Sequence, residues 1–142
     1  MAALFASTDI MAALEVEMRK NGLTKNNVAD AYTMWWTHAW LATQGRNDDL
    51  PRAQLQAVRG QAVDALAMVP AMKTATDEVK QEMAEALLVQ AMLIGASVDM
   101  AREQPELMAP LKAAVAKGAK ASGLDLSAMT LTDAGFRMVG VK

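Results

Sequence analysis

The sequence predicts an all-α protein: a compact bundle of about five helices with two central apolar helices and an irregular C-terminal strap. Three observations carry this reading. Apolar residues make up 53% of the 142 residues against 21% charged, enough for one domain with a real core. Alanine and 12 methionines dominate the apolar set beside only 2 phenylalanines, a balance that favours helices over strands. Cap and stop signals divide the chain into segments whose apolar residues recur at helical spacing.

The elements follow in order within a single domain spanning 1–142. Ser7 or Thr8 caps a first helix near 8–21, with Asp9 in its first turn and Met11, Leu14 and Met18 on one face. Asn21-Gly22-Leu23 reads as its glycine cap followed by an apolar contact residue. Thr24 or Asn26 caps a second helix near 26–43, which Gly45 ends. After the polar loop Arg46-Asn47-Asp48-Asp49, Asp49 as cap with Pro51 just inside opens a third helix near 51–69. Leu55, Val58, Ala62, Ala65, Leu66 and Val69 keep its period, and Pro70 stops it.

Thr76-Asp77-Glu78 opens a long fourth helix near 77–103, placing acids at the positive end of its dipole. Pro105 opens a fifth near 105–121, and Ser122-Gly123-Leu124 repeats the glycine cap. The tail 124–142 reads as a strap packed through Leu126, Met129, Leu131 and Phe136 with a frayed end: Ser127 starts a single turn, Thr130 to Thr132 is extended, and Gly135 and Gly140 oppose a sixth full helix. Helices two and four are apolar around most of their circumference and should form the centre of the bundle.

Several chemistries lack the residues they need. A net charge of −2 and a pI near 5.4 give no basic footprint for nucleic acid. Absence of cysteine removes thiol nucleophiles, disulfides and thiolate metal sites, and one histidine cannot furnish a zinc site. No Glu-x-x-His pair suggests a di-iron centre, and no glycine-rich loop or Gly-x-Ser-x-Gly elbow appears, so no metal or cofactor is expected. The N-terminal Met1-Ala-Ala-Leu has no basic export region. The most apolar stretch, Ala84 to Met100, is interrupted by Glu85, Gln90, Ser97 and Asp99, so no membrane span is expected.

One concentration of unusual side chains remains. All three tryptophans, the single tyrosine and the single histidine lie in one run: Tyr32, Met34, Trp35, Trp36, His38 and Trp40. Neighbours of His38 at three and four residues are Met34, Trp35, Leu41 and Ala42, so its surroundings on the helix are apolar. Burial there lowers an imidazole pKa and keeps it neutral, which suits a general base or nucleophile. Asp99 and Glu85, which interrupt the apolar fourth helix, are the carboxylates placed to reach it; pairing with Arg19, Arg59 or Arg102 is their alternative fate. Met34, Trp35, Trp36, Trp40 and Met92 are the candidate lining of an apolar binding site.

The segments Phe5-Ala6-Ser7-Thr8-Asp9, Asn27-Val28-Ala29-Asp30-Ala31-Tyr32, Ala39-Trp40-Leu41-Ala42, Gln81 through Leu88 and Gly123 through Thr132 resemble an uncharacterised bacterial all-α family of unknown function. The resemblance covers nearly the whole chain and supplies no catalytic residues. Members of that family usually carry an export signal, which implies a periplasmic or secreted protein. Against it, Thr37-His38 and the many methionines look like local variation, and a laboratory-modified scaffold with a pocket built around His38 predicts a cavity there lined by Trp35 and methionines.

The expected role is therefore a small exported helical binding or interaction module that takes an apolar small molecule. The alternatives are an enzyme, natural or engineered on this scaffold, with His38 as base or nucleophile, and a structural homodimer sealed through surplus apolar surface.

Overall fold

The computed structural model describes residues 12–139. The expected caps at Ser7 or Thr8, the side chains of Asp9 and Met11, and the end of the tail from Gly140 lie outside these residues. Helical residues 12–20 form α1, followed by α2 (Val28–Thr43), α3 (Arg52–Ala67), a short α4 (Pro70–Thr74), α5 (Asp77–Glu103) and α6 (Met108–Ala121). A hairpin of β1 (Met129–Thr132) and β2 (Gly135–Met138) closes the chain.

Helix α2 is the hub. Thirteen of its 16 residues are buried, and it packs on α3, α5 and α6, most extensively on α5. Its N-cap is Asn27, whose side chain accepts the Asp30 N–H at 3.1 Å. Thr24 and Asn26, the expected caps, are occupied by the preceding turn: the Thr24 N–H donates to Asp30 at 2.9 Å and the Asn26 N–H to Thr24 at 3.3 Å. Thr33 and Thr37 are buried inside α2 because each hydroxyl donates to a carbonyl four residues back, at 2.7 and 2.8 Å. Asp30 is 2% exposed and is paired with Arg59 of α3.

Helices α1, α2 and α6 end alike. Gly22, Gly45 and Gly123 have φ of +76°, +70° and +92°, and the next N–H bonds back to Met18, Leu41 and Ala119 at 2.8, 2.9 and 2.9 Å. This is the left-handed glycine cap, a conformation that costs glycine least.

Three boundaries depart from expectation. Pro51 itself is the N-cap of α3, with Arg52 first in the helix and no side-chain cap from Asp49. Pro70 does not simply stop a helix: α3 ends at Ala67, and Pro70 begins α4, where its missing N–H is not needed. Pro105–Leu107 is a single 3-10 turn, and α6 starts only at Met108.

The tail is ordered rather than irregular. After a 3-10 turn at Leu126–Ala128, β1 and β2 pair antiparallel, with Leu131 opposite Phe136. A two-stranded hairpin is marginal by itself, and the body holds this one. Gln61 of α3 clamps Phe136 from both sides: its Nε2 donates to the Phe136 carbonyl and its Oε1 accepts the Phe136 N–H, each at 2.8 Å. The Trp40 indole donates to the Met129 carbonyl at 3.1 Å, and Phe136 stacks on Trp36 with ring centroids 4.7 Å apart.

Helix α5 meets the core with one face only. Ala84, Leu88, Ala91, Met92, Gly95, Val98 and Ala101 are buried, whereas Val79, Met83, Val89, Leu93 and Met100 are exposed. By length and composition it is apolar enough to cross a membrane, and a third of its most apolar window is buried against the rest of the protein.

Candidate functional site

His38 stands near the C-terminal end of α2, where α1, the 44–50 loop and α5 converge. Its Nδ1 lies 2.7 Å from the Met34 carbonyl. A carbonyl only accepts, so Nδ1 carries the proton in the neutral ring and Nε2 keeps its lone pair. Among the described residues Nε2 has no hydrogen-bond partner. Burial pushes the imidazole below the usual histidine range; the Met34 carbonyl and the charge of Asp49 pull the other way without cancelling it. The ring is therefore neutral at pH 7, with a free acceptor.

Gly95 lets the Asn47 side chain press against helix α5 beside this histidine. A Cβ there would sit 3.1 Å from Asn47 Oδ1, 3.3 Å from Asn47 Nδ2 and 3.4 Å from His38 Cδ2. Asn47 fills the space instead, its Nδ2 donating to the Gly95 carbonyl at 3.2 Å and to Asp99 at 3.1 Å. Its neighbours Arg46 and Asp48 are bound to each other at 2.7 and 2.8 Å, and the Arg46 guanidinium lies 5.8 Å above the Trp40 ring. The Arg46 hydrogen bonds hold the Asp48 carboxyl below the usual carboxylate range.

Two adjoining cavities share His38. The larger is a cleft of about 340 Å³ bordered by Glu17, Asn47, Asp49, Met92, Gly95 and Asp99. The smaller, about 70 Å³, has Leu14, Met34, Leu41, Leu50 and Leu55 on one side and Glu17, Asn21, Asn47, Asp48 and Asp49 on the other. The combined site has an apolar side, formed by Leu14, Met34, Leu41, Leu50 and Leu55, and four carboxylates: Glu17, Asp48, Asp49 and Asp99. Asp48 is held by Arg46 and Glu17 has the exposed Lys20 at 3.9 Å, whereas Asp49 and Asp99 have no cation in range among the described residues. Among the described residues no group of three or more histidine and acidic side chains is arranged to hold a metal ion.

The six expected site residues are not gathered in one place. Met34 and Met92 line the two cavities at His38. Trp35 forms the floor of a different groove, about 310 Å³, between α5 and α6. Trp36 and Trp40 face the hairpin, against Phe136, and line none of the described cavities. Asp99 shares the cleft with His38, but Glu85 lies elsewhere, accepting from Gln81 at 3.2 Å. Arg59, expected as a partner for one of these acids, is taken by Asp30, and Arg19 binds Glu15. Asn47, Asp49, Glu17 and Gly95 were not foreseen. Only Gly95 carries a local signal, as a glycine interrupting a helix interior.

Residues 2–139 match a family of unknown function, DUF6683, and the chain belongs to that family. No curated protein and no solved structure matches the chain.

Proposed function

We propose that this member of DUF6683 is a small-molecule binding module whose ligand is an organic amine with an apolar body, held in the cleft at His38. One observation carries the reading: the hydrogen-bonding capacity left open in the cleft is that of acceptors. The Glu17, Asp49 and Asp99 carboxylates and the His38 Nε2 accept, while the Asn47 amide already donates to Gly95 and Asp99. A protonated amine supplies the matching donors and charge, and its hydrocarbon part fits the apolar side among Leu14, Met34 and Leu41.

Calorimetry with hexylamine, hexanol and hexanoate tests this. The amine should bind, the alcohol at least tenfold more weakly and the carboxylate not at all; Asp99→Asn should cost the amine about tenfold, or ~1.4 kcal/mol. Equal binding of hexanoate, or none of hexylamine, refutes it. Binding outside the cytoplasm is part of the same proposal and rests on the family resemblance; fractionating the source cells tests it.

The locked tautomer favours a second reading, an enzyme in which His38 Nε2 takes a proton from a substrate bound in the same cleft. His38→Gln separates the two: it should leave amine affinity within a fewfold if the cleft only binds, and abolish turnover if the imidazole is a base.

A further inference from the structure

The outer face of α5 and the groove beside it carry features that the His38 cleft does not use, although Ala96 on that face also borders the cleft. Val79, Ala86, Leu93 and Met100 recur every seventh residue, and Glu82, Val89 and Ala96 fall three places after the first three of them. That is the spacing of a coiled-coil seam, here turned away from the core. Val79, Val89, Leu93 and Met100 are 44%, 39%, 59% and 57% exposed. Alongside, Leu93 and Ile94 wall the groove over Trp35, whose far wall on α6 is Ala114, Val115 and Gly118. Small residues there leave room for another backbone to approach.

Charge selects the occupant. Glu78, Glu82 and Glu85 lie on or beside the seam, and none has an ion-pair partner among the described residues. The groove wall supplied by α6 is uncharged, and helical spacing turns Lys117 and Lys120 to its other sides. A second copy would bring the same acids to the seam, as would an anionic membrane its phosphates. We infer that this face docks a cationic amphipathic helix of a partner protein, its apolar stripe along Val79–Met100 and its lysines or arginines against the three glutamates.

The test uses the full chain with a 21-residue Leu/Lys amphipathic peptide and a Leu/Glu peptide of identical apolar pattern, at low salt. The Leu/Lys peptide should bind at least tenfold more tightly than the Leu/Glu one. Leu93→Asp should weaken it at least tenfold, and Glu82→Lys with Glu85→Lys should reverse the preference. Leu93 is exposed, so thermal melts should show both variants folded; should either fail, Leu93→Gln and Glu82→Gln with Glu85→Gln stand in, expected to weaken binding in the same direction. Binding indifferent to Leu93 and to the glutamates, or no binding at 100 μM (roughly the weak end of peptide–groove affinities), overturns the inference. So does a sedimenting dimer, or binding to phosphatidylglycerol vesicles, that Leu93→Asp abolishes.

Discussion

Replacing Arg59 by methionine should destabilise the protein far more than removing its partner at the same time. Asp30 is 2% exposed; its carboxylate accepts from Arg59 and, at 2.9 Å, from the Thr24 N–H. In Arg59→Met the second bond survives, but the Asp30 carboxyl is left inside the protein without its counter-ion. Breaking a buried pair in this way costs about 3–5 kcal/mol. The Arg59 side chain is 37% exposed, so water can reach the vacated position and the cost falls to about 2–3 kcal/mol. For a chain of this length that lowers Tm by roughly 10 °C.

Asp30→Asn in the same background removes the charge and keeps an acceptor for Thr24, so the double variant should regain about half the loss. Urea melts at pH 7 of the wild type, both single variants and the double give the coupling directly, provided m is unchanged. A loss below about 1 kcal/mol in Arg59→Met, or a double variant whose loss is the sum of the two singles, refutes the reasoning.

Three further outcomes are expected. Burial lowers the His38 pKa, so the unfolded chain takes up a proton near pH 6.5 while the folded protein does not; stability from this site is complete above about pH 7 and lost as pH falls toward the lowered value. The Tm gap between wild type and His38→Gln should therefore shift in favour of the variant between pH 7.5 and 5, and a constant gap would contradict it. Gly95→Ala gains about 1 kcal/mol of helix propensity and displaces Asn47, losing its hydrogen bonds to the Gly95 carbonyl and to Asp99, about 2.5 kcal/mol together, so Tm should fall by roughly 5 °C. The His38 ring resonances should also shift, and unchanged resonances would show that the loop yields freely. Gln61→Ala removes both bonds to Phe136, about 2 kcal/mol together, and hydrogen exchange should accelerate in β1 and β2 before α2; uniform exchange would deny the clamp.

What was legible in the sequence is what residues a few places apart decide. The glycine caps at 22, 45 and 123 need only a helix end, a glycine and the apolar residue or loop that follows, and their geometry appears in the fold as expected. Thr76 likewise caps α5 by accepting the Val79 N–H at 3.2 Å. The turn at Ser127 and the extended stretch at 130–132 were legible, but the pairing strand β2 was not, because its support lies 75 residues away in Gln61 and a four-residue strand carries little period of its own. The cleft was half legible for the same reason. His38, Met34 and Asp99 are conspicuous within apolar helices, whereas Asn47 and Asp49 look like any polar loop until Gly95 lets that loop close onto α5.

Helix α5 shows where composition stops being informative. An apolar helix has no preferred side in sequence alone, and reading α5 as central predicted cover on every face. The hub α2 leaves it one side: Leu88, Ala91, Gly95 and Val98 face inward, and Leu93 and Met100 face out. Folding accounts for the inner set. It does not account for a second apolar line on the outer face at seven-residue spacing, since polar residues there would cost the fold nothing and improve solubility. Substituting Leu93 and Met100 together by glutamine should accordingly leave Tm within about 2 °C, an exposed-surface effect, and melts of that variant measure it. A larger fall would mean that the outer line belongs to the core, and the surface read as a docking face would lose its reason to exist.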